Sequence, residues 1–474
     1  MTSRRYARLI FTSALRRRAL ALAALLWPAI AAGQSARTGD AVMRAVPSSP
    51  ASAGVLRLSL GDAVKRGLEY NLSAVIEDQQ RRVATGGRLQ ALSALLPHVS
   101  ANVRESAQVI NTAAFGFSGF GDLPNIIGPF TVFDARVSMS AALFDPAAIA
   151  EWQSKRALAN AAEADYRTVR ETVVLAIGNV YLEAVSDAAR VASTTAQVET
   201  AEAFVRLATD QNAAGVIARV DVLRQQVQLE SARAQAIAAA NQLAKRKLQL
   251  ARAIGVPATQ SLELTETVAF TPAPAISVEA AVAEAESHRE DLKAAQARVD
   301  AARAAKRAAM AAGLPSLKFD GDVGALGLTA SSAARTYTLA ASLHVPIFEG
   351  GRRRAQTIQA DAEVRQREAE LADLEGGLRF DISTALLDVN AAAAAVDVAR
   401  SGESLAREEL TQAQDRFRAG VASTIELSQA QDAVARASEQ YIASVYSHNI
   451  AKAQFARAMG EGEARFMQFV GGQP

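Results

Sequence analysis

Apolar residues recur at spacings of three and four along two long stretches of the chain, which predicts two long amphipathic helices. The predicted helices cover about Pro146–Ala213 and Arg352–Arg418. The apolar positions of the second stretch are Leu371, Leu374, Leu378, Ile382, Ala385, Val389 and Val396. Gly215 and Gly420 follow the two stretches, and glycine commonly stands where a helix ends and the chain turns back.

Four shorter helices accompany the two long ones. Their predicted spans are Leu72–Leu95, Val220–Ile254, Asp291–Ala312 and Ile425–Met459. Pro97 and Pro315 prevent the first and third from continuing. Stacked end to end, two short helices nearly match one long helix of about 100 Å. Each long helix can therefore form a long antiparallel coiled coil with its neighbours.

Four segments that precede the long helices alternate apolar and polar residues, which predicts β-strands. They are expected at about 98–110, 131–144, 316–327 and 335–347. One face is apolar, interrupted in the first strand by Glu105, and the other face carries charges or hydroxyls. The charged positions that we expect to face a lumen are Arg104, Asp134, Arg136, Lys318, Asp320 and Asp322.

This strand pattern is typical of a transmembrane β-barrel, although a soluble sheet lying on a helix shows the same alternation. The strand length and the low aromatic content of 5% favour the barrel. Four strands cannot close a barrel, and open edges are not tolerated in lipid. The chain is therefore expected to form eight strands as a dimer or twelve as a trimer. A polar lumen favours the trimer, because side chains fill an eight-stranded barrel.

The same order of elements occurs twice along the chain. The matching anchors are Leu143–Asp145 with Ile347–Glu349, Gly215 with Gly420, Asp221 with Glu426, and Gly255 with Gly460. The second and fourth anchors lie 40 residues apart in both copies. We therefore expect two structural repeats, 58–255 and 277–460, with a connector over 256–276 and a tail over 461–474.

The first 33 residues have the pattern of a secretory signal peptide. Residues 1–18 contain six arginines and no acidic residue, Ala19–Ile30 is apolar, and small residues follow. The apolar segment is shorter than the ~20 residues of a membrane-spanning helix, so we expect cleavage after export rather than a membrane anchor. Residues 34–57 are expected to form a flexible lead-in. No later stretch of about 18 residues is free of charge, which argues against a further membrane helix.

The composition argues against several classes of function. With 51 basic and 49 acidic residues the net charge is +2, which gives no argument for a nucleic-acid partner. The absence of cysteine excludes disulfides, thiolate metal sites and lipidation of an N-terminal cysteine. The four histidines lack metal-ligand spacing, and no G-x-S-x-G or Walker motif is present. We therefore expect no enzyme active site and no cofactor.

Two motifs within the duplicated frame resemble a known family. Pro346–Arg352 reads Pro-Ile-Phe-Glu-Gly-Gly-Arg, and Arg416–Val421 reads Arg-Phe-Arg-Ala-Gly-Val. Over Leu56–Gly460 the chain resembles the TolC family of outer-membrane efflux channels. The resemblance implies a mainly α fold with a membrane β-barrel part. It implies a homotrimer with a twelve-stranded barrel in the outer membrane of a Gram-negative bacterium and an α-barrel across the periplasm.

The resemblance also implies a function and partners. The family provides the exit duct of efflux pumps and type I secretion systems, docked through a periplasmic adaptor to an inner-membrane pump. Docking is expected at the helix turns farthest from the barrel, which contain Gly215, Val216, Gly420 and Val421.

The candidate gate residues are Glu426, Gln429 and Asp221. In the family, acidic residues at the first two positions ring the closed aperture, and Gln429 departs from that pattern. Asp221 is expected to link neighbouring helical hairpins. A tyrosine and an arginine that make such links in the family are Phe417 and Ala422 here, so the links are expected to differ.

Two other classes of function stay open on the sequence. The chain could be a soluble periplasmic coiled-coil scaffold or adaptor, with its strands in a soluble domain. It could also be a periplasmic enzyme whose site has no recognisable motif. Fractionation separates these classes from a channel, because only a channel would be found in the outer membrane.

Overall fold

Long helices dominate the computed structural model, which describes residues 41–47, 54–115, 124–266, 270–273, 276–463 and 466. The predicted signal peptide lies outside the described residues. Within them the chain is mainly α-helical, with a two-stranded and a four-stranded sheet.

Two equivalent sets of four helices follow the internal repeat. The first set is α1 Leu60–Tyr70, α2 Leu72–Ser93, α3 Pro146–Ala213 and α4 Arg219–Ala253. The second set is α5 Val278–His288, α6 Glu290–Ala311, α7 Arg352–Arg418 and α8 Thr424–Ala458. Helices α3 and α7 contain 68 and 67 residues, so each is about 100 Å long.

Local chemistry sets the ends of the long helices. Asp145 caps α3 by accepting a hydrogen bond from the backbone N–H of Ala148 at 3.0 Å, and Pro146 occupies the first turn. Gly351 begins α7 with a left-handed φ of 86°. Because glycine has no Cβ, it adopts this conformation without strain where the chain passes from strand to helix.

Each long helix packs against different partners at its two ends. In the first third of α3, Asp165 accepts a 2.5 Å hydrogen bond from Arg298 of α6. Closer to the middle, Asp187 accepts a 3.4 Å bond from Arg246 of α4. Helix α3 thus leaves the α2 and α6 pair near the strands and continues beside its return helix α4.

Two short helices were not expected from the sequence. Helices α1 and α5 precede α2 and α6, separated from them by single residues, Asn71 and Arg289. Asn71 ends one helix and caps the next, and its side-chain amide donates a 2.6 Å hydrogen bond to the carbonyl of Val42. This tertiary contact supports a helix break that contains neither proline nor glycine.

A short strand lies at the end of the predicted lead-in, and another lies within the predicted connector. Leu56–Leu58 (β1) pairs in parallel with Leu262–Leu264 (β4). The buried hydroxyl of Tyr181 donates a 3.0 Å hydrogen bond to the carbonyl of Leu58. The two segments therefore join the core beside the middle of α3.

The other sheet is antiparallel, in the order β2-β3-β5-β6. Its strands are β2 His98–Asn111, β3 Ile126–Phe144, β5 Ser316–Gly327 and β6 Ala334–His344. Strand β3 begins five residues before its predicted start at 131, and β6 ends three residues before its predicted end at 347. The outer edges of β2 and β6 have no partner strand within the described residues of the protomer.

Two equivalent apolar clusters lie at mid-height, one in each repeat. The first centres on Ile177 of α3 with Leu250 of α4, and the second on Ile382 of α7 with Phe455 of α8. In the first cluster Gly67 of α1 lies directly against Ile177, and a Cβ built on Gly67 would be 1.7 Å from the Ile177 Cδ1 atom. The close approach of α1 to α3 therefore depends on the missing side chain.

Helices α3 and α7 each contain an eighteen-residue window that is long and apolar enough to cross a membrane. In α3, 56% of the window is buried inside the protomer, whereas in α7 only 22% is buried. By length and composition alone, these two windows do not agree with the prediction that no further membrane helix follows. The packing of α3 against α2, α4, α6 and α8 is that of a core helix.

We expect Gly67→Ala to lower the free energy of unfolding by about 1–3 kcal/mol, because the new methyl overpacks the site against Ile177. Thermal unfolding of the purified protein measures the effect. Gly86→Ala is the matched control: Gly86 lies in α2 with open space around it, so the change should stabilise the helix by ~0.5–1 kcal/mol. Equal stability of Gly67→Ala and the wild type would contradict the close packing.

Candidate channel wall and hairpin tips

The strand register brings the six charged residues predicted to face a lumen onto one face of the four-stranded sheet. Arg136 of β3 donates hydrogen bonds to Asp134 at 2.7 Å and to Asp322 of β5 at 3.0 Å. Arg104 of β2 lies directly opposite Asp134 in the register. Lys318 and Asp320 occupy the same face of β5 and are exposed.

The opposite face of this sheet is apolar and exposed. Leu339 and Leu343 of β6 have 68% and 66% of their surface accessible, and Val103 of β2 has 70%. A contiguous apolar surface of this kind is rare on soluble monomers and marks a surface that contacts lipid or another protein. The sheet therefore has one face suited to water and one suited to an apolar environment.

At the far ends of the helices, the same capping motif forms both hairpin turns. Gly215 and Gly420 have φ angles of 72° and 74°. In each turn the residue after the glycine donates its N–H to a carbonyl five residues back, Val216 to Gln211 at 2.8 Å and Val421 to Arg416 at 3.0 Å. This is the Schellman arrangement, which satisfies the last carbonyls of a helix. It leaves the side chains of Val216 and Val421 exposed.

Hydrogen bonds join the two hairpins close to these turns. The Thr424 hydroxyl of α8 donates to the Asp221 carboxylate of α4 at 2.6 Å. The Gln225 amide of α4 donates to the Ser428 hydroxyl at 3.1 Å. Within the protomer, Asp221 thus bonds to a threonine of the other hairpin.

An apolar cluster lies beneath these links. Phe417, which occupies the position of the family's tyrosine, is buried with Phe204 and Leu427. Its ring is a core element of the tip and offers no hydrogen bond to a neighbouring hairpin. The backbone carbonyl of Phe417 accepts a 3.2 Å hydrogen bond from Gln211, which ties the two hairpins together at this level.

The other two gate candidates differ in their surroundings. Glu426 accepts a 2.9 Å hydrogen bond from Arg416, ten residues earlier in the same hairpin, and stays partly exposed. Gln429 is exposed and lines a shallow groove with Leu223 and Ile425. The sequence did not indicate that Arg416 and Thr424 are the partners of Glu426 and Asp221. For Thr424 a signal was available, because it follows Ser423, which caps α8 and so places Thr424 at the start of the helix.

A network of charges lies at mid-height, where α3 meets α6, α7 and α8. Burial, with Glu290 and Asp291 nearby, raises the pKa of Glu171 to about 7. Arg289 donates to Asp291 at 2.6 Å and to Asp381 at 3.2 Å. The network joins four helices, and among the described residues no cluster of three or more His, Asp or Glu could hold a metal ion.

A buried lysine holds the connector against α8. Lys452 donates hydrogen bonds to the carbonyl and hydroxyl of Thr271 at 3.0 and 2.7 Å, and burial lowers its pKa to about 8. His448, one turn earlier, contacts the same carbonyl at 3.1 Å. The buried polar groups here position the chain between the two repeats.

Comparison with known proteins identifies the family. The model of the outer membrane efflux protein family matches residues 78–256 and 281–461. No curated protein sequence matches the chain. The family is one of transport proteins and not of enzymes.

Solved structures share the fold. The outer membrane protein VceC of Vibrio cholerae is 18% identical with a TM-score of 0.72, over 85% of this chain and 96% of VceC. The MtrE outer membrane channel of Neisseria gonorrhoeae is 19% identical with a TM-score of 0.70, over 88% and 95%. The Campylobacter jejuni CmeC outer membrane channel is 17% identical with a TM-score of 0.72, over 85% and 86%. The family predicted from the sequence is thus confirmed, and the chain belongs to the outer membrane efflux proteins.

Proposed function

We propose that three copies of this chain form a channel through the outer membrane of a Gram-negative bacterium, which serves as the exit duct of an efflux pump or type I secretion system. The observation that carries the proposal is a four-stranded sheet with one charged face, one exposed apolar face and, in the described part of the chain, two edges without a partner strand. The chain is exported with removal of its signal peptide, and without cysteine it carries no lipid anchor of that type.

The unpaired edges argue for closure by other copies. In lipid each unsatisfied backbone N–H or C=O is costly, so a spanning sheet must close on itself. Three copies give twelve strands, whereas two give eight, and an eight-stranded barrel is filled by its side chains. The charged face, with Arg136 between two carboxylates, is suited to a water-filled lumen.

The helices supply the periplasmic part of the channel. Helix α3 follows β3 after the single residue Asp145, and α7 follows β6 after the short segment Val345–Gly351. Both helices continue for about 100 Å, which carries the tips far from the strands. In a trimer, six hairpins would form a helical barrel coaxial with the strands. The poorly buried apolar window of α7 provides a surface for packing against another copy.

A periplasmic adaptor, and through it an inner-membrane pump, is the partner proposed for the tips. Val216 and Val421 are 59% and 67% exposed, and Val220, Leu223 and Ile425 continue the apolar surface along α4 and α8. Exposed apolar residues beside polar ones suit a partner helix laid into a groove.

A soluble scaffold or adaptor is the weaker alternative. It would have to cover the apolar face of the sheet with protein, and within the described residues of the protomer no helix does so.

We propose that Glu426 and Gln429 line the aperture at the tips, and that the Asp221–Thr424 bond holds the hairpins of each protomer together there.

We expect the chain to fractionate with the outer membrane as an oligomer that dissociates on heating. Leu339→Arg should reduce the assembled oligomer, because an arginine facing lipid near the bilayer midplane costs about 2–4 kcal/mol. Thr338→Ser, on the neighbouring polar position, is the control and should assemble like the wild type. Recovery of the wild type in the soluble fraction would refute the channel.

We expect Val216→Glu combined with Val421→Glu to abolish export while leaving the amount of oligomer unchanged. Both side chains are exposed and lie outside the hydrogen bonds of the turns, so the change alters the docking surface and not the fold. Export of a pump substrate and cross-linking to the adaptor are the measurements. Glu279→Gln, exposed on α5 far from the tips, is the control. Normal export by the double variant would place docking elsewhere.

We expect Glu426→Gln to reduce cation selectivity in planar bilayers, since a ring of three carboxylates at a narrow aperture attracts cations. The reversal potential in a salt gradient measures the selectivity, and Glu279→Gln again serves as the control. An unchanged reversal potential would remove Glu426 from the aperture.

A further inference from the structure

Two charged residues interrupt the apolar face of the four-stranded sheet, and they lie on its two edge strands. The register aligns Val103, Ala135, Ala325 and Arg335 in one row of that face. Glu105 of β2 lies in the next row, opposite Phe133. Among the residues of that face in the four strands, only Glu105 and Arg335 carry charges, and these have opposite signs.

Neither charge is compensated by a described residue of the same protomer. Both side chains are exposed, and among the described residues neither makes a side-chain hydrogen bond or ion pair. The central strands β3 and β5 place no charge on this face. Charged groups facing lipid are costly, so charges confined to the edges point to a partner across each edge.

We infer that Arg335 forms an ion pair with Glu105 of the neighbouring copy, on the lipid side of the seam where β6 of one copy pairs with β2 of the next. The inference rests on the trimer proposed above. It assigns a second copy of this chain as the partner of both edges, and each of the three seams would contain one such pair.

Strand lengths restrict the register of this seam to pairings in which Arg335 faces a residue between Ala107 and Ile110, and of these only Ala107 and Val109 lie on its own face of the sheet. All eleven residues of β6 find partners when His344 faces His98 of the next copy and Ala334 faces Gln108. Arg335 then faces Ala107, on the same face of the sheet. Pairing of Arg335 with Val99 instead would leave most of both strands unpaired.

The tilt of the strands supports the same register. The row of residues that starts at Val103 of β2 crosses the four strands of one protomer to Arg335 of β6. In this register it continues to Ala107 in β2 of the next copy, which lies four residues further along the strand than Val103. Twelve strands about 4.8 Å apart and tilted by about 35–45° require a rise of about 4.1 to 5.8 residues per protomer. Only an even number preserves the two faces, so this range selects the rise of four over the rise of six that pairing with Val109 would give. Glu105 is then directly opposite Tyr337 and diagonal to Arg335, within reach of a long side chain.

Charge reversal tests the ion pair in the full-length protein. Glu105→Arg and Arg335→Glu should each lower the temperature at which the oligomer dissociates in detergent, and the double reversal should restore at least half of the loss. Ser106→Arg with Arg335→Glu is the matched control. Ser106 faces the polar side, so this pair should give no recovery.

Disulfide cross-linking tests the register, because the sequence contains no cysteine of its own. Arg335→Cys with Ala107→Cys, and His344→Cys with His98→Cys, should each link neighbouring copies, whereas Arg335→Cys with Val99→Cys should not.

The outcomes separate this inference from the proposed function. A stable wild-type oligomer whose double reversal stays as weak as the single variants overturns the ion pair alone. This includes the case in which Arg335 contacts anionic lipid headgroups. Cross-linking through Val99 overturns the register. A wild-type chain that forms no oligomer overturns both the ion pair and the proposed channel.

Discussion

Backbone hydrogen bonding in a medium without water is the constraint on which the proposed assembly depends. Within the described chain, β2 and β6 each leave one edge of the sheet unpaired beside an exposed apolar face. In water such edges are a liability, and in lipid they are not tolerated. In the proposed assembly the protomer alone would leave these edges unpaired in lipid, so its insertion and its association would be coupled.

Below the sheet, small side chains replace the aromatic core of an ordinary globular protein. Ala201 of α3 is buried against Ala232 and Leu229 of α4, and alanine recurs along the buried faces of both hairpins. Small residues let helix axes approach closely, so that long helices pack with little bulk between them. Large apolar clusters are confined to mid-height and to the tips, where several helices meet.

Much of the fold follows from local signals in the sequence. Pro146 and Gly215 mark the ends of α3 because one fits the first turn of a helix and the other its left-handed end. The three-residue strands β1 and β4 are too short for a periodic pattern. The break at Asn71 depends on a hydrogen bond to Val42, which is a tertiary contact.

Less of the candidate site could be predicted from the sequence. Alternation indicates which strand residues share a face, but only the register brings Arg136 beside Asp322, 186 positions away. The bond between Asp221 and Thr424 spans 203 positions and joins residues that are not equivalent in the internal repeat. Contacts between the two repeats therefore join non-equivalent positions, and the internal repeat of the sequence does not predict them.

The uninterrupted length of α3 has a mechanical consequence. The helix connects the end of β3 to the tip turn without a break, so it acts as a lever arm of about 100 Å. A rotation of one degree about its strand end displaces Gly215 by about 2 Å, by the same geometry. The Asp221–Thr424 bond of 2.6 Å is lost beyond about 3.5 Å. For a hairpin that tilts as a rigid unit about its strand end, an angular change of one degree relative to the other hairpin would therefore be sufficient to break this bond at the tip.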